Sequence, residues 1–292
     1  MHAATAQALA DADLDPAYVE SVARAAVEED LAGGVDVTSV ATVPEGLIGT
    51  AAFVPRAAGV VAGVPVAMAV LDVVGDVEVQ LFEHDGQRVV GGEVVLEARG
   101  PVRALLTAER SALNLLCHLS GVATLTRAWA DAVEGTGARV RDTRKTMPGL
   151  RLLEKYAVRC GGGVNHRMGL SDAALVKDNH VVAAGGVAQA FAAVRATFPG
   201  LDVEVECDTV EQVREVVAAG ADLVLLDNMT LDQMRASVAL CAPAGVRTEA
   251  SGGLTLATAR AVAETGVDFL AVGALTHSAP VLDLGVDLRL EP

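Results

Sequence analysis

Apolar and polar positions follow two different rhythms along the chain. From Asp15 to Asp30, Tyr18, Val19, Val22 and Ala26 fall on one face of a helix, and Gly33-Gly34 supplies a stop. From roughly Thr50 to Arg99 the pattern shortens to alternating stretches such as TAAFV, VEVQLFEHDGQ and GEVVLEARG, divided by Gly and Asp. These predict a small, mainly antiparallel sheet, with a helix in the AMAVLDVV stretch among them. A long helical pattern opens at Pro101 and is expected to break near Ser120-Gly121. Beyond it, short apolar runs recur: ARVR (138–141), AALV (173–176), VEVE (203–206), LVLL (223–226), VRTEA (246–250) and DFLAV (268–272). Each is followed by a polar cluster and then a helical pattern. Repeated strand–helix units with few hairpin signals predict a parallel α/β barrel or a doubly wound sheet.

The polar residues at the ends of these runs favour the barrel. Arg144 and Lys145, Lys177 and Asp178, Glu206 and Asp208, Asp227 and Asn228, Glu249 and Ser251, and Gly273 all stand at or just beyond a strand's C-terminal end. In a barrel those ends converge on one mouth, whereas in an open sheet most would be spread along an edge.

Composition narrows the class. The 292 residues are 52% apolar but only 3% aromatic, so the chain can bury a large core, built chiefly from Ala, Val and Leu. The N-terminus carries Asp11, Asp13 and Asp15 where a secretory signal would be basic and then apolar. The longest apolar run, Ala57 to Leu71, is interrupted by Gly59, Gly63 and Pro65, and is read as strand, turn and helix rather than a membrane span. Four widely spaced cysteines, Cys117, Cys160, Cys207 and Cys241, form no CxxC pair and fit a reduced, cytoplasmic setting.

The net charge of −16 argues against nucleic acid as a partner. The average conceals a window from Arg139 to Lys177 with nine basic and three acidic residues, including every lysine of the chain. That +6 window sits on a remainder of −22 and implies a small, highly anionic ligand. Within it, Arg144 and Lys145 follow a strand, Gly161, Gly162 and Gly163 permit close backbone approach to a ligand, and Asn165, His166 and Arg167 come next. Arginine suits a planar carboxylate, and lysine supplies a compact charge for phosphate.

Two acids answer these bases. Glu206 and Asp227 end successive strands, where they would hold sugar hydroxyls or a Mg²⁺ that neutralises pyrophosphate, or else pair structurally with Lys145 or Lys177. EASGGLT (249–255) and AVGALTHS (271–278) each run from a strand through small residues into a helix, a setting for phosphate at a helix N-terminus. His180 and His277 are either ligand-binding or local hydrogen-bonding groups, and His118 on the long helix reads as structural. No HExxH, Walker-type loop or dinucleotide fingerprint is present.

The segments EEDLAGGVDVTS (28–39), TAERSALNLLCHLSGVAT (107–124), the continuous stretch 141–180, VEVECDT, LLDN, EASGGLT and VDFLAVGALTHSAP (267–280) together resemble the quinolinate phosphoribosyltransferases, the carboxylating nicotinate-nucleotide pyrophosphorylases. The resemblance implies an N-terminal α/β sandwich (1–111, with a C-terminal return at 279–292) and an incomplete, seven-stranded type of parallel α/β barrel (112–278). It also implies a homodimer with shared active sites, in which Arg110 reaches in from the partner subunit. Arg144, His166 and Arg167 would bind the two quinolinate carboxylates, and Lys145 and Lys177 would lie between quinolinate and the pyrophosphate. Glu206 and Asp227 would serve the ribose hydroxyls and Mg²⁺, while Ser251, Gly252 and Gly273 would hold the 5′-phosphate. The implied substrates, quinolinate and phosphoribosyl pyrophosphate, bring about six or seven negative charges, of the same order as the +6 window. A nicotinate-specific transferase would need only one carboxylate pocket. A non-catalytic phosphate-binding barrel would gain nothing from Glu206 and Asp227.

Overall fold

The computed structural model describes residues 1–291. The chain opens with helices α1 (Ala3–Asp11), α2 (Pro16–Leu31) and α3 (Val37–Thr42). Next come β1 (Ile48–Pro55), β2 (Gly59–Val60), α4 (Val64–Val74), β3 (Glu78–Leu81), β4 (Arg88–Val89), β5 (Leu96–Pro101) and the long α5 (Val102–Ala132). After β6 (Arg139–Arg141) and α6 (Arg151–Cys160), strands and helices alternate. They are β7 (Ala174–Val176), α7 (Asp178–Ala184), α8 (Val187–Thr197), β8 (Val203–Cys207), α9 (Val210–Ala218), β9 (Leu223–Asp227) and α10 (Leu231–Cys241). The chain closes with β10 (Arg247–Ser251), α11 (Leu256–Ala263), β11 (Phe269–Ala271), α12 (Ala274–His277) and β12 (Leu284–Leu290). Two compact units result: Met1–Leu125 with Met147–Gly162 and Ser278–Pro292, and Thr126–Thr146 with Gly163–His277.

In the first unit an antiparallel sheet of order β12-β1-β5-β3 is built around β1, whose residues Gly49 to Pro55 pair with Leu290 to Leu284. The last strand of the chain therefore completes a sheet begun near residue 50. α4 is apolar on all sides and buried from Val64 to Leu71, as a helix without a polar face must be. Its first N–H groups are satisfied from a distant loop: Gly63 and Val64 donate to the Asp85 carboxylate at 2.7 and 3.0 Å.

The break expected at Ser120-Gly121 does not occur, because α5 runs unbroken from Val102 to Ala132. The Ser120 hydroxyl is spent on the backbone of Ala62, and Gly121 is the point where the carbonyl of Pro280 meets the helix. The small residue there serves close packing rather than helix termination. An added Cβ would lie against the Pro280 carbonyl oxygen and 2.8 Å from Val281 Cα.

The second unit holds a parallel sheet of order β6-β11-β10-β9-β8-β7. The strands stand in chain order around a ring, with β6 joined to the last strand β11 and no ladder between β6 and β7. At that opening Val164 makes a single parallel bridge to Arg141, so a seventh barrel position is occupied by one residue rather than a strand. This is the incomplete barrel expected, and all six apolar runs are its strands. Outward-facing Val205, Val224, Leu226, Ala250 and Leu270 are fully buried, as strands covered on both faces require.

Gly121→Ala is expected to destabilise the protein by about 1–3 kcal/mol, despite alanine's better helix propensity. Chemical denaturation measures this, and a neutral or stabilising result would show that the helix and the Pro280 segment separate freely.

Candidate active site

Side chains alternate along a strand, so residues two apart share a face. In the barrel, Glu204 and Glu206, Leu225 and Asp227, and Glu249 and Ser251 are such pairs, each with the second member nearer the C-terminal mouth. Together with the segments after β6 and β7 they line a cavity of about 560 Å³. Its walls include Arg144, Lys145, His166, Arg167, Lys177, Glu206, Asp227, Asn228, Glu249, Ser251 and Gly252.

The cationic wall is incompletely neutralised. Lys177 Nζ lies 3.0 Å from Glu206 Oε2. Arg144 and Arg167 have no ion pair at 4 Å or less among the described residues, and the Nε of each is buried without a hydrogen-bond partner. Burial, and next the nearby charge of Arg144, lowers the pKa of the Arg167 guanidinium. Two like charges held together in this way favour an anion between them. Lys145 is held by its backbone: its N–H donates to Thr143 Oγ1 at 3.0 Å and its carbonyl accepts from Thr276 Oγ1 at 2.7 Å.

The opposite wall offers oxygen ligands and a phosphate-sized turn. Asp227 accepts from Asn228 Nδ2 at 2.6 Å, and Asn228 itself stands at φ 52°, donating its N–H to the Ser251 carbonyl. Gly252 and Gly253 are both left-handed, at φ 84° and 62°, and a Cβ on Gly252 would collide with the Asn228 side chain. Helix α11 starts only at Leu256, and the Thr255 hydroxyl accepts from Thr258 N. The N–H groups available to a phosphate are therefore those of the glycine turn more than those of the helix end.

Beneath the mouth lies a charged layer. Arg141 Nη1 donates to Glu249 Oε2 at 2.7 Å, and His166 Nε2 lies 2.7 Å from Glu204 Oε2 and 3.6 Å from Glu249 Oε1. Burial first, and then the neighbouring Glu204 charge, pushes the Glu249 carboxyl up to about 7. Burial likewise raises Glu204 to about 7, against the pull of Arg141. The buried Asp142 fixes the adjoining loop, accepting from His166 N at 2.8 Å and from Asn165 Nδ2 at 2.5 Å.

Nine of the eleven residues expected from sequence line this cavity. Gly273 lies beside it, where an added Cβ would come within 3.0 Å of Lys145 Cδ. Arg110 belongs to the first unit, exposed on α5. The basic window divides: only Arg144, Lys145, Arg167 and Lys177 of its nine bases reach the cavity, and Lys155 is fully buried on α6. The glycine triplet has no part in the lining. Gly161 caps α6, and of the three only Gly162 takes a positive φ. His180 Nδ1 accepts from Lys177 N, and His118 pairs with Glu154, so both serve local structure. Among the described residues no disulfide forms, and all four cysteines are buried or half-buried thiols. Glu204 was missed, although the alternation in VEVE places it on the same face as Glu206.

Two family models match the chain: the quinolinate phosphoribosyl transferase N-terminal domain over residues 36–120 and the C-terminal domain over 122–287. The chain belongs to this family. It is 52% identical over 286 residues to the nicotinate-nucleotide pyrophosphorylase [carboxylating] of Mycobacterium leprae, covering 96% of this chain and 100% of that one. The crystal structure of NadC from Streptococcus pyogenes superposes with a TM-score of 0.91 at 40% identity, covering 96% of this chain and 99% of that one. The nicotinate-nucleotide pyrophosphorylase of Francisella tularensis gives 0.89 at 35% identity, with coverage of 94% and 98%.

The buried acids predict a pH effect on this family member's stability. Glu249 ionises near its ordinary 4.5 when unfolded but at about 7 when folded. Its stabilising protonated form is fully present below 4.5, and stability falls as pH rises from there through 7. Glu249→Gln is expected to flatten that decline, read from urea midpoints between pH 4.5 and 7. An unchanged slope would show that the carboxyl titrates normally in the folded protein.

Proposed function

We propose that the protein transfers the phosphoribosyl group of phosphoribosyl pyrophosphate to quinolinate and decarboxylates the product to nicotinate mononucleotide. The observation that carries this reading is the pair of buried, unpaired guanidinium edges of Arg144 and Arg167 in one cavity with Glu206 and Asp227. A binder of phosphate alone gains nothing from two carboxylates at the mouth, whereas a transferase forming a ribosyl cation does. The arrangement supports a division of labour. Arg144 and Arg167 hold the quinolinate carboxylates, Lys145 and Lys177 face the pyrophosphate, and the Gly252-Gly253 turn takes the 5′-phosphate.

The ribose C1′–oxygen bond to pyrophosphate breaks as the pyridine nitrogen bonds to C1′, and the carboxylates of Glu206 and Asp227 stabilise the positive charge that develops between. The resulting pyridinium accepts the electron pair of the adjacent carboxylate as CO₂ leaves, and the carbanion takes a proton from solvent or from Lys145. Oxygen donors suit a hard cation that keeps several other ligands. Glu206 and Asp227 would therefore hold Mg²⁺ through the bound pyrophosphate, where it neutralises the leaving group. The four free cysteines support our reading of a cytoplasmic enzyme. No described helix is long and apolar enough to cross a membrane. We further propose a homodimer in which Arg110 completes the partner's site.

With quinolinate, phosphoribosyl pyrophosphate and Mg²⁺, the purified protein is expected to release CO₂ and pyrophosphate in equal amounts, with nicotinate a poor substitute. Turnover of nicotinate at the quinolinate rate would assign the narrower alternative. Arg110→Ala and Lys145→Ala are each expected to lower turnover by orders of magnitude. Mixed under subunit exchange, they should recover roughly a quarter of wild-type activity, since half of a random population is hybrid with one intact site. Absence of recovery despite exchange would exclude a shared site.

A further inference from the structure

Glu206 and Asp227 end neighbouring strands at the mouth and are held in different ways. Glu206 takes a lysine, with Lys177 Nζ 3.0 Å from its Oε2. Asp227 takes a neutral amide: its Oδ2 accepts from Asn228 Nδ2 at 2.6 Å. A carboxylate only accepts, so the NH₂ of the amide faces it and the amide's orientation is settled. A lysine offsets the charge it holds, whereas an amide fixes a carboxylate's plane and leaves its charge whole. The backbone allows this contact. β9 and β10 pair in register as far as Asp227 and Ser251. At the next residue the chain turns left-handed, with φ 52°, a conformation that asparagine tolerates better than most side chains. The Asn228 N–H still donates to the Ser251 carbonyl at 3.0 Å, while its side chain turns back to Asp227. The amide rests against Gly252, where an added Cβ would lie 2.6 Å from Asn228 Cγ.

We propose that Asn228 is a positioning residue: its amide, seated on Gly252, aims the Asp227 carboxylate at the ribose and its cation without neutralising it. This rests on the cavity being the phosphoribosyl pyrophosphate site, the function proposed above. Glycine alone would meet the left-handed turn. What asparagine adds at that position is the hydrogen bond to Asp227. With Oδ2 committed to the amide, Oδ1 is the oxygen turned over to a hydroxyl or a cation. A carboxylate whose plane is set before the ligand arrives loses less entropy on binding it. Gly252 then lacks a side chain for two reasons, its own φ of 84° and the room the amide needs.

Calorimetric titration of phosphoribosyl pyrophosphate with Mg²⁺ into wild type, Asn228→Gly, Asp227→Ala and the double variant forms a closed cycle. Asn228→Gly keeps the turn and is expected to weaken binding about tenfold. The double variant should match Asp227→Ala within about twofold, because no carboxylate remains to aim. Losses that multiply would overturn the proposal, since the amide would then act otherwise than through Asp227. Asn228→Asp keeps the shape and the turn but sets a second carboxylate against Asp227, so its loss should be larger, about a hundredfold. A milder loss than that of Asn228→Gly would reduce the residue to a turn former and sink the idea. Quinolinate should bind Asn228→Gly within about twofold of wild type. A matching loss of quinolinate would show a disordered cavity rather than a misaimed acid, and would equally overturn the assignment. Wild type that binds no phosphoribosyl pyrophosphate refutes the reading of the cavity, and side-chain amide spectra of the free protein then still decide the role of Asn228. Its Nδ2 signals, assigned by their loss in Asn228→Gly, should shift in Asp227→Ala; signals that stay in place would remove the hydrogen bond and the proposal with it.

Discussion

A charge taken out of water must find an opposite charge or a hydrogen bond, and the interior of this barrel is organised by that demand. Glu204 and Glu249 are almost wholly buried. Together they are met by one arginine, Arg141, and one imidazole, His166. Remove either donor and a carboxylate is left without one in a low-dielectric layer. This layer supports the mouth above it. The strands that carry the buried acids carry Glu206 and Ser251 two residues later, and the loop that carries His166 carries Arg167 next. The geometry at the mouth is inherited from the pairing beneath.

The two layers solve opposite problems. In the lower one every cation is matched, so the layer is rigid and holds no room for an anion. In the upper one, Lys177 is matched by Glu206 while Arg144 and Arg167 carry unpaired Nε edges. Burying a charge in a cleft beside a like charge costs stability, and the Arg167 pKa is lowered first by burial and next by Arg144. Such a cost persists where a ligand repays it. Under the proposed function the acids at the mouth have a purpose that pairing does not exhaust, since a substrate with several phosphates needs both cations and a way to bear a transient ribosyl cation.

Much of this was legible in the sequence because strand periodicity and chain order are local. Six apolar runs became six strands, and eight of the residues at or just beyond their ends line one cavity. What escaped was tertiary. Gly121 looks like a helix breaker because propensity is a local quantity, yet its backbone partner, Pro280, lies far along the chain. The glycine triplet looked like a ligand cradle, but it ends a helix. The +6 window counted charge along the chain, while only four of its nine bases line the cavity. Glu204 lies within its strand rather than at the end, although period-two alternation marks it as plainly as Glu206.

His166 shows a different limit. Sequence places a histidine beside an arginine at a barrel mouth, and the residue type alone permits an imidazolium that binds a carboxylate. In the structure one ring nitrogen accepts from the Arg167 amide and the other lies 2.7 Å from Glu204 Oε2, so the loop and the buried acid compete with a ligand for the ring. Residue identity sets what a side chain can do. Only its neighbours, here one amide and one buried acid, decide which of those things it does.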